Sequence, residues 1–105
     1  MSLIDLHDTV KVIDVARAHG VTYLALFGSV ARGEEDGDSD VDIAVRFGRR
    51  VSLFDLVDLQ LSLQQILSRS VDLIPVDDVY SFMLDQIKRD QIVLFDVANE
   101  RVIER

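Results

Sequence analysis

The stretch LALFGSVARGEEDGDSDVDIAV, residues 24–45, decides the fold of this chain. An apolar, strand-like run ends at Gly28-Ser29, an acidic loop follows, and a second strand-like run carries Asp40 and Asp42. Side chains two residues apart on a strand point to the same face, so these carboxylates repel each other unless a cation lies between them. The stretch therefore predicts two strands joined by a glycine turn, with a cation site on the second strand.

Helices and strands alternate along the rest of the chain, which predicts an α/β (α+β) fold. The first helix is predicted over residues 5–19, with Val10, Ile13 and Ala16/Arg17 at helical spacing and Gly20 as its C-terminal cap. The other predicted elements are strands at 21–27 and 41–47, a helix at 52–69 capped by Ser52, a strand at 71–76, a helix at 81–90 and a strand at 91–97, followed by a charged tail.

The lengths of the connections predict how the strands pair. The first two strands are joined by a loop that favours antiparallel pairing, whereas the second and third are separated by a helix that makes them parallel. We therefore expect a small mixed β-sheet with helices packed against it, in a single domain over residues 1–105.

Composition excludes several function classes. Eleven Lys and Arg against 19 Asp and Glu give a net charge of −8, which opposes binding of long nucleic acid by this chain alone. The absence of cysteine excludes disulfides, thiol catalysis and Cys-ligated zinc. Since no apolar run approaches the ~20 residues of a membrane span, we expect no membrane contact and a cytoplasmic protein.

Two familiar site types fail on the residues of this stretch. Gly28 and Gly33 are spaced as in a phosphate-binding P-loop, but glutamates stand where that loop needs Lys and Ser or Thr. The run DGDSDVD, residues 36–42, lacks the glycine and glutamate of a calcium-binding EF-hand. A turn that offers backbone N–H groups to phosphate, beside carboxylates that hold a divalent cation, fits what remains.

The same residues resemble a known signature. Gly28-Ser29, ten further residues and then Asp40-Val41-Asp42, with Arg32-Gly33 in between, are similar to nucleotidyltransferases of the DNA polymerase β superfamily, above all its minimal nucleotidyltransferase (MNT) group. The resemblance implies a polymerase β-type nucleotidyltransferase fold. It also implies transfer of AMP from ATP to an acceptor hydroxyl with two Mg²⁺ ions, for which Mn²⁺ is a substitute, and with pyrophosphate as the leaving group.

The resemblance implies a third carboxylate on a later strand. Asp72 matches by position, and Asp77 and Asp78, which lie beyond Pro75, are weaker candidates. The roles that the resemblance implies are metal binding by Asp40, Asp42 and Asp72, with Asp72 also helping to deprotonate the acceptor; binding of the triphosphate tail by Gly28 and Ser29; and a further phosphate contact from Arg32.

A partner is suggested by the predicted helix at 52–69, whose apolar residues extend around more of its circumference than one buried stripe needs. Deep burial and a partner interface both explain this pattern. Stand-alone MNT proteins are typically antitoxins of HEPN-domain ribonuclease toxins and can AMPylate a toxin tyrosine, so the resemblance implies a hetero-oligomer with such a toxin. A non-catalytic binding antitoxin and transfer to a small cationic acceptor, such as an aminoglycoside, remain as alternatives.

Overall fold

The computed structural model describes residues 6–28, 40–76, 85, 89, 91–97 and 101–102. Within them, the structure has two helices and five strands, in the order α1 Leu6–Ala18, β1 Val21–Phe27, β2 Val41–Phe47, α2 Leu53–Leu67, β3 Val71–Pro75, β4 Ile92–Asp96 and β5 Arg101–Val102. Neither helix in the described part of the chain is long and apolar enough to cross a membrane.

The strands form one mixed sheet in the order β3-β2-β1-β4-β5. Strands β2 and β3 are parallel, and the other neighbouring pairs are antiparallel. The predicted α/β fold with a small mixed sheet is confirmed, because α2 provides the crossover that parallel pairing of β2 and β3 requires.

Most predicted boundaries agree with the structure. Strands β1 and β2 have the predicted bounds, and Ser52 caps α2, which ends at Leu67 because Ser68 takes a left-handed conformation with φ 55°. The predicted helix over 81–90 lies outside the described residues except at positions 85 and 89, both of which are helical.

The sequence pattern assigns no helix or strand to the charged tail, whereas the structure has a short strand there. Arg101 and Val102 form β5, where Val102 pairs with Phe95 of β4. A strand of two residues shows no periodicity in the sequence, so only its partner strand reveals it.

The main core lies between the helices and one face of the sheet. It contains Val12 and Ala16 of α1, Leu59 and Leu63 of α2, and Val41, Ile43 and Val45 of β2. Of the apolar residues predicted at helical spacing on α1, Ile13 and Ala16 are buried, but Val10 is exposed. Thr9 and Val12 are buried in its place. The opposite face of the sheet carries a smaller cluster around Ala44 and Val76, packed against Tyr23, Phe27 and Ile74.

Candidate active site

Strand pairing brings two of the predicted carboxylates together. Asp42 of β2 and Asp72 of β3 are register partners in the parallel pair, so they lie on the same face of the sheet. The side chain of residue 42 is half-buried and that of residue 72 is exposed. Neighbouring strands are about 4.8 Å apart, so the two carboxylates are adjacent across the ladder.

Asp40 directly precedes β2 and is exposed. It is two residues before Asp42, which places it toward the same face by the alternation of an extended chain. That face is opposite the helices, since Val41 and Ile43, whose side chains alternate with the aspartates, are buried in the core beneath α1 and α2. The three aspartates thus lie toward one face of the sheet, where β2 and β3 begin.

Gly28 directly follows β1 and lies next to Asp42 of β2. The preceding residue, Phe27, pairs with Asp42, and Gly28 itself has a φ of 70°, a left-handed conformation that L side chains rarely adopt. A Cβ added at Gly28 would overlap Oδ2 of Asp42 and lie 3.2 Å from its Cγ. The absence of a side chain at position 28 therefore lets the backbone turn closely against the Asp42 carboxylate.

On the same face as the carboxylates, an aromatic ring contacts a cationic and an amide side chain. Tyr23 of β1 pairs with Arg46 of β2, and the Arg46 guanidinium carbon lies 5.7 Å from the centroid of the tyrosine ring. The Tyr23 hydroxyl donates a hydrogen bond to Oε1 of Gln91, just before β4. Sequence reasoning did not select Tyr23, Arg46 or Gln91, because the contacts between them join residues far apart in the chain.

The donor chemistry of this face fits magnesium. Carboxylate oxygens are the ligands that Mg²⁺ takes, usually one or two of them together with substrate phosphate oxygens. In the part of the chain that the structure describes, no group of three or more His, Cys, Asp or Glu side chains is placed to hold a metal ion by itself. The predicted convergence of Asp40, Asp42 and Asp72 on metal therefore stays a prediction.

Other predicted site residues lie outside the described residues. These are Ser29 and Arg32, and the weaker metal candidates Asp77 and Asp78. Of the predicted set, the structure thus describes Gly28, which contacts the Asp42 carboxylate, and the three aspartates.

Comparison with known proteins assigns the family. The profile of the family described as polymerase beta nucleotidyltransferase matches residues 10–100. A Methanocaldococcus jannaschii protein named as a candidate protein adenylyltransferase is 37% identical over 82 residues, which cover 78% of this chain and 88% of the relative. The protein adenylyltransferase MntA of Thermococcus cleftensis is 36% identical over 73 residues, which cover 70% of this chain and 74% of the relative.

Two solved structures share the fold. A candidate minimal nucleotidyltransferase superposes with a TM-score of 0.78 at 33% identity, covering 88% of this chain and 95% of the other. A mutant of a toxin–antitoxin complex that contains MntA superposes with a TM-score of 0.72 at 25% identity, covering 83% of this chain and 71% of the other.

Proposed function

This chain belongs to the polymerase β nucleotidyltransferase family, and from that membership we propose that it transfers AMP from ATP to a hydroxyl group of a partner protein. One observation carries the proposal: Asp42 and Asp72 are paired across parallel strands, and the Gly28 backbone turns against the Asp42 carboxylate. This arrangement puts acidic oxygens beside a backbone turn, as metal-dependent phosphoryl chemistry needs.

The reaction exchanges a phosphoanhydride bond of ATP for a phosphoester bond to the acceptor. The acceptor oxygen forms a bond to the α-phosphorus of ATP, the bond from that phosphorus to the bridging oxygen breaks, and pyrophosphate leaves. Two Mg²⁺ ions, or Mn²⁺ in their place, would supply charge neutralisation on the phosphate oxygens.

Each predicted residue has a role in this proposal. Asp40 and Asp42 would hold both ions, and Asp72 would hold one ion and take part in removing the acceptor proton. Gly28 and Ser29 would bind the triphosphate tail, with Arg32 as a further phosphate contact.

We propose a HEPN-type toxin as the acceptor protein. Of two relatives more than 30% identical, one is named as a protein adenylyltransferase and the other as a candidate protein adenylyltransferase, and a structure with the same fold is part of a toxin–antitoxin complex. The partner would be neutralised by AMP on a tyrosine. We place the reaction in the cytoplasm, where ATP is available and where a chain without cysteine needs no oxidising compartment.

Replacing one metal ligand tests this function. We expect Asp42→Asn to lower AMP transfer to a cognate HEPN-domain protein by about a thousandfold or more, since the substitution removes a charge used in the transition state and keeps the side-chain shape. The measurement is the intact mass of the partner after incubation with ATP and Mg²⁺. Asp14→Asn, the same change on the exposed face of α1, is the control and should leave transfer unchanged.

The two alternatives predict different results in the same experiment. A non-catalytic antitoxin would neutralise the toxin equally well as wild type and as Asp42→Asn, with no mass change in either. A small cationic acceptor would be modified in place of the protein, which incubation with an aminoglycoside and ATP would reveal. Either result would contradict transfer to a protein hydroxyl.

A further inference from the structure

A groove of about 630 Å³ lies at the end of β2 opposite the carboxylates. It is bounded by the β2–α2 connection, the first turns of α2 and the end of β3. Three arginines and several apolar residues line it, among them Arg46, Arg49, Arg50, Leu53, Leu56 and Pro75.

The groove concentrates positive charge in an acidic chain. It holds three of the 11 Lys and Arg residues, whereas the net charge of the chain is −8. All three arginines are exposed. The nearby carboxylate of Asp55 accepts hydrogen bonds from the backbone N–H of Ser52, at 3.0 Å, and from its hydroxyl, which are the main causes of its lowered pKa, and the Arg49 charge contributes to the same shift. The groove therefore presents a local surface that complements acidic side chains.

An apolar stripe continues from the groove along α2. The side chains of Leu53 and Phe54 are 74% and 86% exposed, and Val57 and Leu61 are 44% and 56% exposed. Phe54, Val57 and Leu61 recur at the spacing of one helix face. The buried face of the same helix is formed by Leu59, Leu63 and Leu67, so this second stripe is not needed by the core. Contiguous exposed apolar surface of this kind marks interaction sites.

We propose that the arginine groove and the α2 stripe together bind an acidic, amphipathic segment of the protein that carries the acceptor hydroxyl. This inference rests on the proposed function only in taking the acceptor to be a protein. Arginine beside aliphatic and aromatic side chains matches a segment with carboxylates next to leucine-like residues. Nucleic acid fits less well, because the strongly acidic remainder of the chain repels a polyanion.

The position of the groove relative to the site suits this role. Asp42 and Arg46 are four residues apart on β2 and share a face, which corresponds to about 13 Å along the strand. A helical segment covers that distance with about nine residues. Arg46 therefore connects the groove to the face that carries the carboxylates. The α2 stripe lies on the helix side of the sheet, so the acceptor hydroxyl belongs to a different part of the partner from the segment bound to α2.

Charge reversal tests the arginine groove. We expect Arg49→Glu/Arg50→Glu to weaken binding to a cognate HEPN-domain protein by about tenfold or more, measured by calorimetry, with added salt reducing the wild-type affinity as well. Lys11→Glu/Arg17→Glu reverses two exposed charges on α1 and gives the same net charge, so it is the matched control. Equal weakening by both variants would overturn the groove in favour of general charge repulsion.

Truncation tests the stripe in the same assay. We expect Phe54→Ser to weaken binding by about tenfold, whereas Val10→Ser, on an exposed apolar residue of α1, should not. A photo-crosslinking residue at position 54 should give a crosslink to an acidic segment of the partner. Crosslinks to a second copy of this chain, with a dimer in sedimentation, would overturn the proposal and identify the stripe as a self-association surface.

Failure of this inference is distinguishable from failure of the proposed function. Full binding by the groove variants, with transfer still lost in Asp42→Asn, would overturn the groove alone. Groove-dependent binding without any AMP transfer by wild type would overturn the function and leave the docking surface in place.

Discussion

Gly28 is the residue at which backbone conformation and site chemistry depend on each other. Its φ of 70° is left-handed, and the space that a Cβ would occupy is taken by the Asp42 carboxylate. A side chain there would therefore both strain the turn and displace a predicted metal ligand.

Substituting this glycine should separate the two effects. We expect Gly28→Ala to lower the free energy of unfolding by about 1–2 kcal/mol, the cost of a left-handed L residue, and also to abolish most AMP transfer. Gly20→Ala is the control, because Gly20 has a φ of 85° but faces the flexible Arg49 side chain. It should lose similar stability in urea unfolding and retain transfer. Full transfer by Gly28→Ala would show that the turn does not position Asp42.

Helix α2 is the element that connects folding with recognition. Its N-terminus is closed by a capping box, in which the Ser52 hydroxyl accepts from the Asp55 backbone N–H at 3.2 Å and the Asp55 carboxylate accepts from the Ser52 N–H. The cap holds the first turn, which carries Leu53 and Phe54, against the groove. We therefore expect cap variants to affect the docking surface as well as stability.

The strength of the cap can be measured directly. We expect Ser52→Ala to destabilise the fold by about 1 kcal/mol, because the backbone N–H of Asp55 loses its acceptor. For a domain of this size, this lowers Tm by about 4–8 °C. Ser62→Ala, in the middle of the same helix, replaces a serine with a better helix former and should change Tm little or raise it. Equal losses in the two variants would contradict a specific capping role.

The same cap predicts a pH dependence. The Ser52 backbone N–H, and then its hydroxyl, hold the pKa of Asp55 below its ordinary value of 3.8. Because the folded pKa is lowered, the charge contributes stability above the unfolded pKa and this is lost as pH falls through the folded value. We expect the stability advantage of wild type over Asp55→Asn to be present at neutral pH and to shrink below about pH 4. An unchanged difference in urea unfolding at low pH would contradict this.

At the scale of the whole molecule, the predicted metal and nucleotide site leads us to expect that stability depends on ligand. Asp42 and Asp72 lie side by side on adjacent strands and Asp40 is two residues before Asp42, so a cation bound at the predicted site would reduce the repulsion between their charges. A ligand that binds only the folded state raises its stability by mass action. The metal and nucleotide should therefore act on stability as well as on chemistry.

Thermal unfolding with Mg²⁺ and ATP tests this expectation. At a hundred times the dissociation constant the stabilisation is about 2.7 kcal/mol, which corresponds to a rise in Tm of about 10–20 °C for a domain of this size. The rise should be absent in Asp40→Asn/Asp42→Asn and present in Asp14→Asn/Asp58→Asn, which removes two charges from the helices. A similar rise in all three proteins would mean that the site lies elsewhere.

The sequence by itself determined the features that depend on neighbouring residues. Local patterns of apolar, turn and capping residues predict the strands at 21–27 and 41–47, the cap at Ser52 and the helix that separates β2 from β3. The spacing from Gly28-Ser29 to Asp40 and Asp42 is likewise a property of the sequence alone. These features could be predicted because their energetics are set within a few residues of chain.

Tertiary structure decided what depends on distant residues. The register that pairs Asp42 with Asp72, the approach of Gly28 to the Asp42 carboxylate and the pairing of β5 with β4 join residues far apart in sequence. The same holds for α2, where the pattern allowed burial on every side and packing left Phe54 exposed. These contacts depend on the total energy of the assembled sheet and core, which a local sequence pattern does not contain.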